Sequence, residues 1–389
     1  MQEQNIPKLL LNNVRDLILP EFQVFPSMSN IVSQNEYLFN RMTSEQNYLL
    51  DYLEEQKIAA IQGGAGTGKT MLAIEKARRL SKNEKVVFLC FNSLLMDTLK
   101  STYADELPNV VFTNLYSITT KAFKRNVNEI DITNFLSNFD MHSLVWDFKS
   151  IIIDEGQDFS NEQIELLKEI AILNDGSFYV FYDKNQLVQQ RMRLDWLYNM
   201  DCRLVLSYNC RNTHHIAKTS SNPLGIKEVK MRFNIDGEMP YYHNTTDKTD
   251  LLTWLKRRID KYTSEGLNLS QIVILTTKTI EKSILCDVSK IGKHNITYEI
   301  DRNNILFTTA RKFKGLEADV VFLVDTDSNQ FSDDESRRVF YVAASRAKSF
   351  LEIVPTLSEE EESDLFFSIS NGTSRRNMSL ISNLNVKPI

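Results

Sequence analysis

Cysteine is scarce: Cys90, Cys202, Cys210 and Cys286 are the four in 389 residues, and none pair at metal-ligand spacing. That argues against a zinc or iron–sulfur site and fits a reduced cytoplasm. The five histidines form no ligand pattern, and the adjacent His214 and His215 would face different ways on a helix. Long apolar runs are missing: none approaches the roughly 20 residues that span a bilayer, so no membrane association is expected. The opening stretch, MQEQNIPKLLLNNVRD, has no basic region followed by an apolar core, so no secretory signal is read there. Positive charge is also short, with 45 Lys and Arg against 51 Asp and Glu and a net charge of −6. A protein coated in nucleic acid is not expected, although a local basic groove remains open to it.

What is present is the composition of a soluble globular protein, with 42% hydrophobic and 25% charged residues and length for two or three domains. The most informative stretch runs from Ile58 to Leu80, IAAIQGGAGTGKTMLAIEKARRL. Ile58 to Ile61 reads as a buried strand, and Leu72, Ala73, Ala77 and Leu80 follow at helical spacing. Between them Gly63, Gly64, Ala65, Gly66, Thr67, Gly68, Lys69 and Thr70 form G-x-x-x-x-G-K-T, the phosphate-binding loop. Glycines let successive N–H groups converge on one centre at a helix N-terminus. Lys69 is placed to reach β- and γ-phosphates, and the Thr70 hydroxyl to ligate Mg²⁺.

Further strands follow: Lys85 to Phe91, Val110 to Thr113, Ser150 into DEGQD, Phe178 to Asp183 and Arg203 to Ser207. They alternate with helical patterns such as Asn161 to Ile172, the signature of a parallel α/β sheet with ligands at the C-terminal strand ends. A strand delivering Asp154 and Glu155 beside a phosphate loop reads as an Mg²⁺ ligand followed by the residue that polarises the attacking water. The second half repeats the theme without a second phosphate loop. Asp250 to Tyr262 reads as an amphipathic helix whose Lys256, Arg257, Arg258 and Lys261 form a solvated face. Strands are expected at Gln271 to Thr276, Ile305 to Thr309, Val320 to Asp325 and Phe350 to Val354, with a helix from Arg337 to Lys348. Leu9 to Ile18 reads as an amphipathic helix ahead of the core. The stretch from Thr356 carries SEEEES and a weakly patterned end, read as mobile or as a partner contact.

With RKFKGLE and YVAASRAK added, the motif order resembles the superfamily 1 helicases and translocases of the UvrD/Rep/PcrA group, in a compact bacterial form, over roughly Met42 to Val354. The resemblance implies two tandem RecA-like lobes with parallel sheets and minimal accessory subdomains. The divisions are a 1–41 extension, a 42–207 first lobe with a small insertion near 117–149, a 208–355 second lobe, and a 356–389 tail. It assigns Gln46 to adenine, Lys69, Thr70, Asp154 and Glu155 to phosphate, magnesium and water activation, and Gln186 to the γ-phosphate. It makes Arg211 and Arg346 two arginine fingers, and Gly315 and Glu317 the contacts to the γ-phosphate side and the ribose. Phe91 and Asn92 match a strand end that touches single-stranded DNA.

Three positions depart from the family. Cys210 replaces the adenine-stacking tyrosine, with Tyr208 nearby; Arg311 replaces a histidine; and TNLYS replaces a TFH-like motif, which moves that DNA contact to Tyr116. Arg311, Lys312 and Lys314 are read as lining or flanking the DNA groove. The implied activity is an ATP- and Mg²⁺-dependent single-stranded DNA translocase or helicase, 3′ to 5′. It would work with a nuclease or other partner subunit in repair or anti-phage defence. The rival reading is a nucleotide-switched regulatory subunit that senses DNA or nucleotide for a partner nuclease and unwinds little.

Overall fold

The computed structural model describes residues 27–39, 44–138, 145–186, 194–226 and 228–389. The helix expected over Leu9 to Ile18 lies outside them. In chain order the elements begin with α1 (Met28–Phe39), α2 (Ser44–Tyr52), β1 (Ile58–Gly63), α3 (Lys69–Leu80), β2 (Val86–Cys90), α4 (Ser93–Tyr103) and β3 (Val110–Thr113). Next come α5 (Leu115–Phe123), α6 (Glu129–Ser137), β4 (Ser150–Asp154), α7 (Asn161–Leu173), β5 (Phe178–Tyr182) and β6 (Cys202–Leu206). These strands form a six-stranded sheet in the order β3-β2-β4-β5-β1-β6, parallel throughout.

Its strands read as continuous apolar runs because both faces are covered. Ala59, Ile61, Phe88 and Ile152 pack beneath α2, α3 and α4. Their neighbours Ala60, Val87, Leu89, Ile151 and Ile153 pack against α5, α6 and α7. Period-two side-chain alternation thus feeds two cores from one sheet. The 117–149 interval, expected as a small insertion, contributes Ile118, Ile132, Phe135 and Trp146 to the same core.

The second unit holds α8 (His214–Ser221), β7 (Tyr241–Tyr242), α9 (Lys248–Ser264), β8 (Ile272–Thr276), β9 (Lys290–Ile291) and β10 (His294–Thr297). It continues with β11 (Ile305–Thr309), β12 (Ala318–Val324), α10 (Asp334–Ala344), β13 (Ala347–Val354), α11 (Glu359–Ile369) and β14 (Lys387–Pro388). Eight strands run β14-β7-β13-β12-β8-β11-β10-β9, with only the β9–β10 pair antiparallel. This is the α/β architecture of two tandem RecA-like lobes.

Four expectations are corrected. The helix read from Arg337 to Lys348 stops at Ala344, and β13 begins at Ala347 because Ala347 pairs with Ala318. Arg346 therefore sits in the helix-to-strand turn. Arg258, read as solvated, is buried, with its guanidinium 2.5 Å from the Glu352 carboxylate. The Tyr262 hydroxyl donates to that carboxylate at 2.7 Å. The stretch after Thr356, read as mobile or a partner contact, is packed. Leu365, Phe366, Ile369, Leu380, Leu384 and Val386 enter the core of the second lobe. The fourth correction, Lys314, belongs to the site.

Burial of Leu380, at 0% exposure, makes it a test of that packing. Leu380→Ala should destabilise the second lobe by about 2–5 kcal/mol, read as a lower denaturant midpoint. An unchanged midpoint would show the segment to be dispensable.

The α1 helix, although first in the chain, packs on the second unit. Met28 and Val32 enter the second-lobe core beside Leu255, Ile259 and Tyr262. The Asn35 amide donates to Ser349 Oγ at 2.9 Å, and Lys348 Nζ lies 3.1 Å from Glu36. The following helix, α2, buries Leu50 and Leu53 in the first-lobe core.

Candidate nucleotide site between the lobes

Strands β4, β5 and β1 are neighbours, so their C-terminal ends deliver Asp154, Asp183 and the Gly63–Thr70 loop to one place. The loop is cradled by backbone that only glycine adopts readily. Gly66 and Gly68 have φ of 73° and 83°. A Cβ at Gly66 would lie 2.2 Å from Asn212 Oδ1, and one at Gly68 would lie 2.6 Å from Gln46 Nε2. Inside the turn, the Thr67 hydroxyl donates to the Gly64 carbonyl at 2.8 Å. Lys69 Nζ donates to the carbonyls of Gly63 at 2.8 Å and Gly64 at 3.0 Å. Gln46 Nε2 donates to the Thr67 carbonyl at 3.3 Å.

The Thr70 hydroxyl donates to Asp154 Oδ2 at 2.7 Å, and Asp154 Oδ1 accepts the Glu155 N–H at 3.0 Å. Burial, then the adjacent Glu155, pushes the Asp154 carboxyl up to about 6. Hard oxygen donors held together at the mouth of a phosphate loop fit Mg²⁺, which would be held by Thr70 and Asp154. Glu155 takes a left-handed backbone, φ 56°, which a non-glycine residue adopts at a cost that the surrounding packing must offset. Its Oε2 accepts a hydrogen bond from the Gln157 amide. Burial would raise the Glu155 carboxyl, but Lys314, Lys69 and Arg346 outweigh it and hold the group below its ordinary value.

Asp183, at the end of β5, was not singled out from the sequence. It lies 3.9 Å from Lys69 Nζ and accepts the Gln186 amide at 2.8 Å. Its own N–H donates to Gln157 Oε1 at 2.9 Å. Gln186 is buried beside it, and its Oε1 has no hydrogen-bond partner among the described residues. The signal was available, since FYVFYD ends a buried strand in an acid just as SIIIDE does.

The second lobe closes on this loop. The Ala65 N–H donates to the Tyr341 hydroxyl at 2.8 Å, and the Cys210 N–H to the Gly66 carbonyl at 2.7 Å. Asn209 Nδ2 reaches the Ala65 carbonyl at 3.2 Å. Asn212 Nδ2 donates to the carbonyls of Ser345 at 3.0 Å and Ala347 at 2.7 Å, which ties the NCRN turn to the turn holding Arg346. Arg211 Nη1 pairs with Glu317 at 2.8 Å. Arg346 is buried and donates from Nε to the Val342 carbonyl at 2.9 Å and from Nη2 to Ser345 Oγ at 3.1 Å. Burial would raise the Glu317 carboxyl, but Arg211, then Arg346, hold it below its ordinary value. Gly315, with φ 84°, turns beneath it. Tyr341, Asn209 and Asn212 were missed because buried polar residues flanking an arginine carry no local signal of what they meet.

The positions expected to face DNA follow the C-terminal ends of β2, β3 and β11. Phe91 is 45% exposed and meets Phe159 edge-on, centroids 5.9 Å apart. Tyr116 is 38% exposed and donates to Glu129, which pushes its hydroxyl up to about 12. Arg311 stands out into solvent, 3.5 Å from Glu335. Asn92 is committed elsewhere: its Oδ1 caps α4 at the Leu94 N–H, and its Nδ2 donates to the carbonyls of Lys312 at 2.7 Å and Lys314 at 2.8 Å. Lys314, read as part of a basic groove, is instead buried at 6% exposure, with Nζ 2.8 Å from both carboxylate oxygens of Asp158. A lysine stem long enough to cross the lobe boundary finds an anion there, and that pairing replaces its hydration.

Two family models match separate parts of the chain. Residues 46–191 match the model of an AAA domain, and residues 304–354 match the UvrD-like helicase C-terminal domain. No curated protein matches the chain. Among solved structures, the chain is similar to the Pif1 helicase from Candida albicans. Identity is 12%, 87% of this chain and 97% of that one are covered, and the TM-score is 0.45. It is also similar to the C-terminal domain of a possible DNA helicase from a Lactobacillus, strain WCFS1. There identity is 17%, 38% of this chain and 86% of that one are covered, and the TM-score is 0.30. No helix among the described residues is long and apolar enough to cross a membrane. The phosphate loop and Asp154–Glu155 fall inside the first match, and Gly315, Glu317 and Arg346 inside the second, so the two sides of the site lie in segments similar to an AAA domain and to a UvrD-like helicase C-terminal domain.

Proposed function

We propose that the chain hydrolyses ATP between its two lobes and uses the resulting closure and opening to move along single-stranded DNA, 3′ to 5′. The observation that carries this reading is the composite character of the site. One lobe supplies the phosphate loop, Asp154, Glu155 and Gln186. The other supplies Arg211, Glu317, Tyr341 and Arg346, and Tyr341 touches the loop directly.

The chemistry is positioning and charge neutralisation. Mg²⁺, when held by Thr70 and Asp154, supplies positive charge to the phosphates. Lys69 and the loop N–H groups orient the β- and γ-phosphates. Glu155 accepts the proton of the attacking water, and Gln186 meets the γ-phosphate. Arg211 and Arg346 bring positive charge from the second lobe, so hydrolysis requires the lobes to be together. Gln46, beside the loop, reads the adenine, with Tyr208 as the exposed aromatic nearest the Cys210 turn.

Phe91 and Tyr116 offer stacking surfaces to bases, and Arg311 offers charge to a phosphate. The minimal accessory subdomains expected from the sequence favour a partner, nuclease or other subunit, for processive unwinding in DNA repair or anti-phage defence. The same feature is what favours the switch reading, in which the nucleotide-switched chain senses DNA or nucleotide for that partner. Steady-state ATPase assays with and without DNA separate the two. Single strands should stimulate turnover more than blunt duplex, and binding should weaken steeply with salt as phosphate contacts release counterions. No stimulation by any nucleic acid would overturn the translocase and leave the switch.

A further inference from the structure

The turn between β11 and β12 is seated on both sides of the lobe boundary. On the side of the expected DNA contacts, Asn92 Nδ2 holds the carbonyls of Lys312 at 2.7 Å and Lys314 at 2.8 Å. Beneath it, Gly315 lies so close to α4 that a Cβ there would stand 2.5 Å from Leu95 Cδ2. On the nucleotide side, Lys314 Nζ crosses to the first lobe. It lies 2.8 Å from each oxygen of Asp158 and 3.6 Å from Glu155 Oε2. The Lys314 and Glu155 side chains are 8% and 4% exposed, so water does little to screen them.

We propose that Lys314 is a positioning residue for ATP hydrolysis, a clamp from the second lobe that fixes the carboxylate of Glu155 when the turn is seated against Asn92. The proposal rests on the reading of Glu155 as the residue that takes the water's proton. Gln157 and Lys314 both act on Oε2 of Glu155, which leaves Oε1 as the oxygen to face the water. Glu155 itself takes the left-handed backbone, and an ammonium anchored on Asp158 adds a fixed charge beside its carboxylate. Because the ammonium comes from the other lobe, Glu155 is set only when the lobes meet. Because the same turn is gripped by Asn92, at the end of the strand that carries Phe91, a strand of DNA arriving there bears on Glu155 through one short segment. This gives a route from DNA binding to turnover that does not pass through either arginine.

The test is steady-state ATPase kinetics of the full chain, with and without single-stranded DNA. Lys314→Met should lower DNA-stimulated kcat by about 10²-fold, as a misplaced catalytic group does. KM for ATP should stay within about threefold, and the ratio of stimulated to basal turnover should collapse. Lys314→Arg should restore part of the loss. Lys314→Met leaves Asp158 buried without its cation, so K314M/D158N is the companion variant that removes both charges and keeps the fold. It should lose stimulation likewise. In a Glu155→Gln background, Lys314→Met should cost nothing further. Wild-type stimulation in K314M/D158N overturns the clamp. Normal turnover in Glu155→Gln would instead overturn the reading beneath it, and the two failures are told apart by that variant alone.

Discussion

Glu155→Gln should lose ATP turnover by about 10²–10⁴-fold and still bind ATP, the result expected for removal of a general base. The substitution keeps the side chain's shape, and its left-handed backbone is as demanding for glutamine as for glutamate. Thr70 and Asp154 remain 2.7 Å apart, so the oxygens assigned to the metal are untouched. Lys314 keeps Asp158 as its partner, which avoids a stranded buried cation. Rapid-quench measurement of a single turnover, beside equilibrium binding of a non-hydrolysable ATP analogue, separates chemistry from affinity. Near-normal turnover would remove Glu155 from its role.

Arg346→Ala and Arg211→Ala should each slow hydrolysis by roughly 10³-fold or more, the scale of an arginine finger, with a smaller effect on nucleotide affinity. Their surroundings differ, and so do the controls they need. Arg346 is anchored by Val342, Ser345 and the Leu316 carbonyl, so alanine also loosens the turn between α10 and β13. Arg346→Lys retains a charge but not the fork, and should remain slow. Truncating Arg211 strands the Glu317 carboxylate, which burial would then push towards protonation. R211A/E317Q removes that complication and should hydrolyse no faster than R211A. Normal DNA-stimulated turnover in either arginine variant would end its assignment.

The chemical centre was readable because its signals are local. The glycine loop, the strand that ends in Asp154 and Glu155, and the alternation of strands with helices are each set by a dozen residues or fewer. What escaped notice depends on partners far along the chain. Lys314 and Arg258 look alike as exposed basic residues until Asp158 and Glu352 are brought to them. YVAASRAK is built of good helix formers, yet the pairing of Ala347 with Ala318 ends the helix before Arg346. The stretch after Thr356 carries its apolar residues at irregular spacing because a helix, a single π-helical turn over Leu380–Leu384 and a two-residue strand share the work of covering one sheet face. No one period describes all three.

The α1 helix sets an order on how the molecule comes to exist. Asn35 meets Ser349 across 314 positions of chain, and β14 pairs with β7 across most of the second lobe. A chain emerging residue by residue completes the first sheet once Leu206 is out. The second sheet stays open until Lys387 and Pro388 arrive, and α1 waits for a surface made by residues more than 200 positions later. Contacts this distant in sequence are slow to form, because the chain entropy is lost before they reward it. The nascent protein therefore passes through a stage with a finished phosphate-binding lobe, an uncovered second sheet and a detached apolar helix. That stage is the one most exposed to aggregation and to chaperone capture.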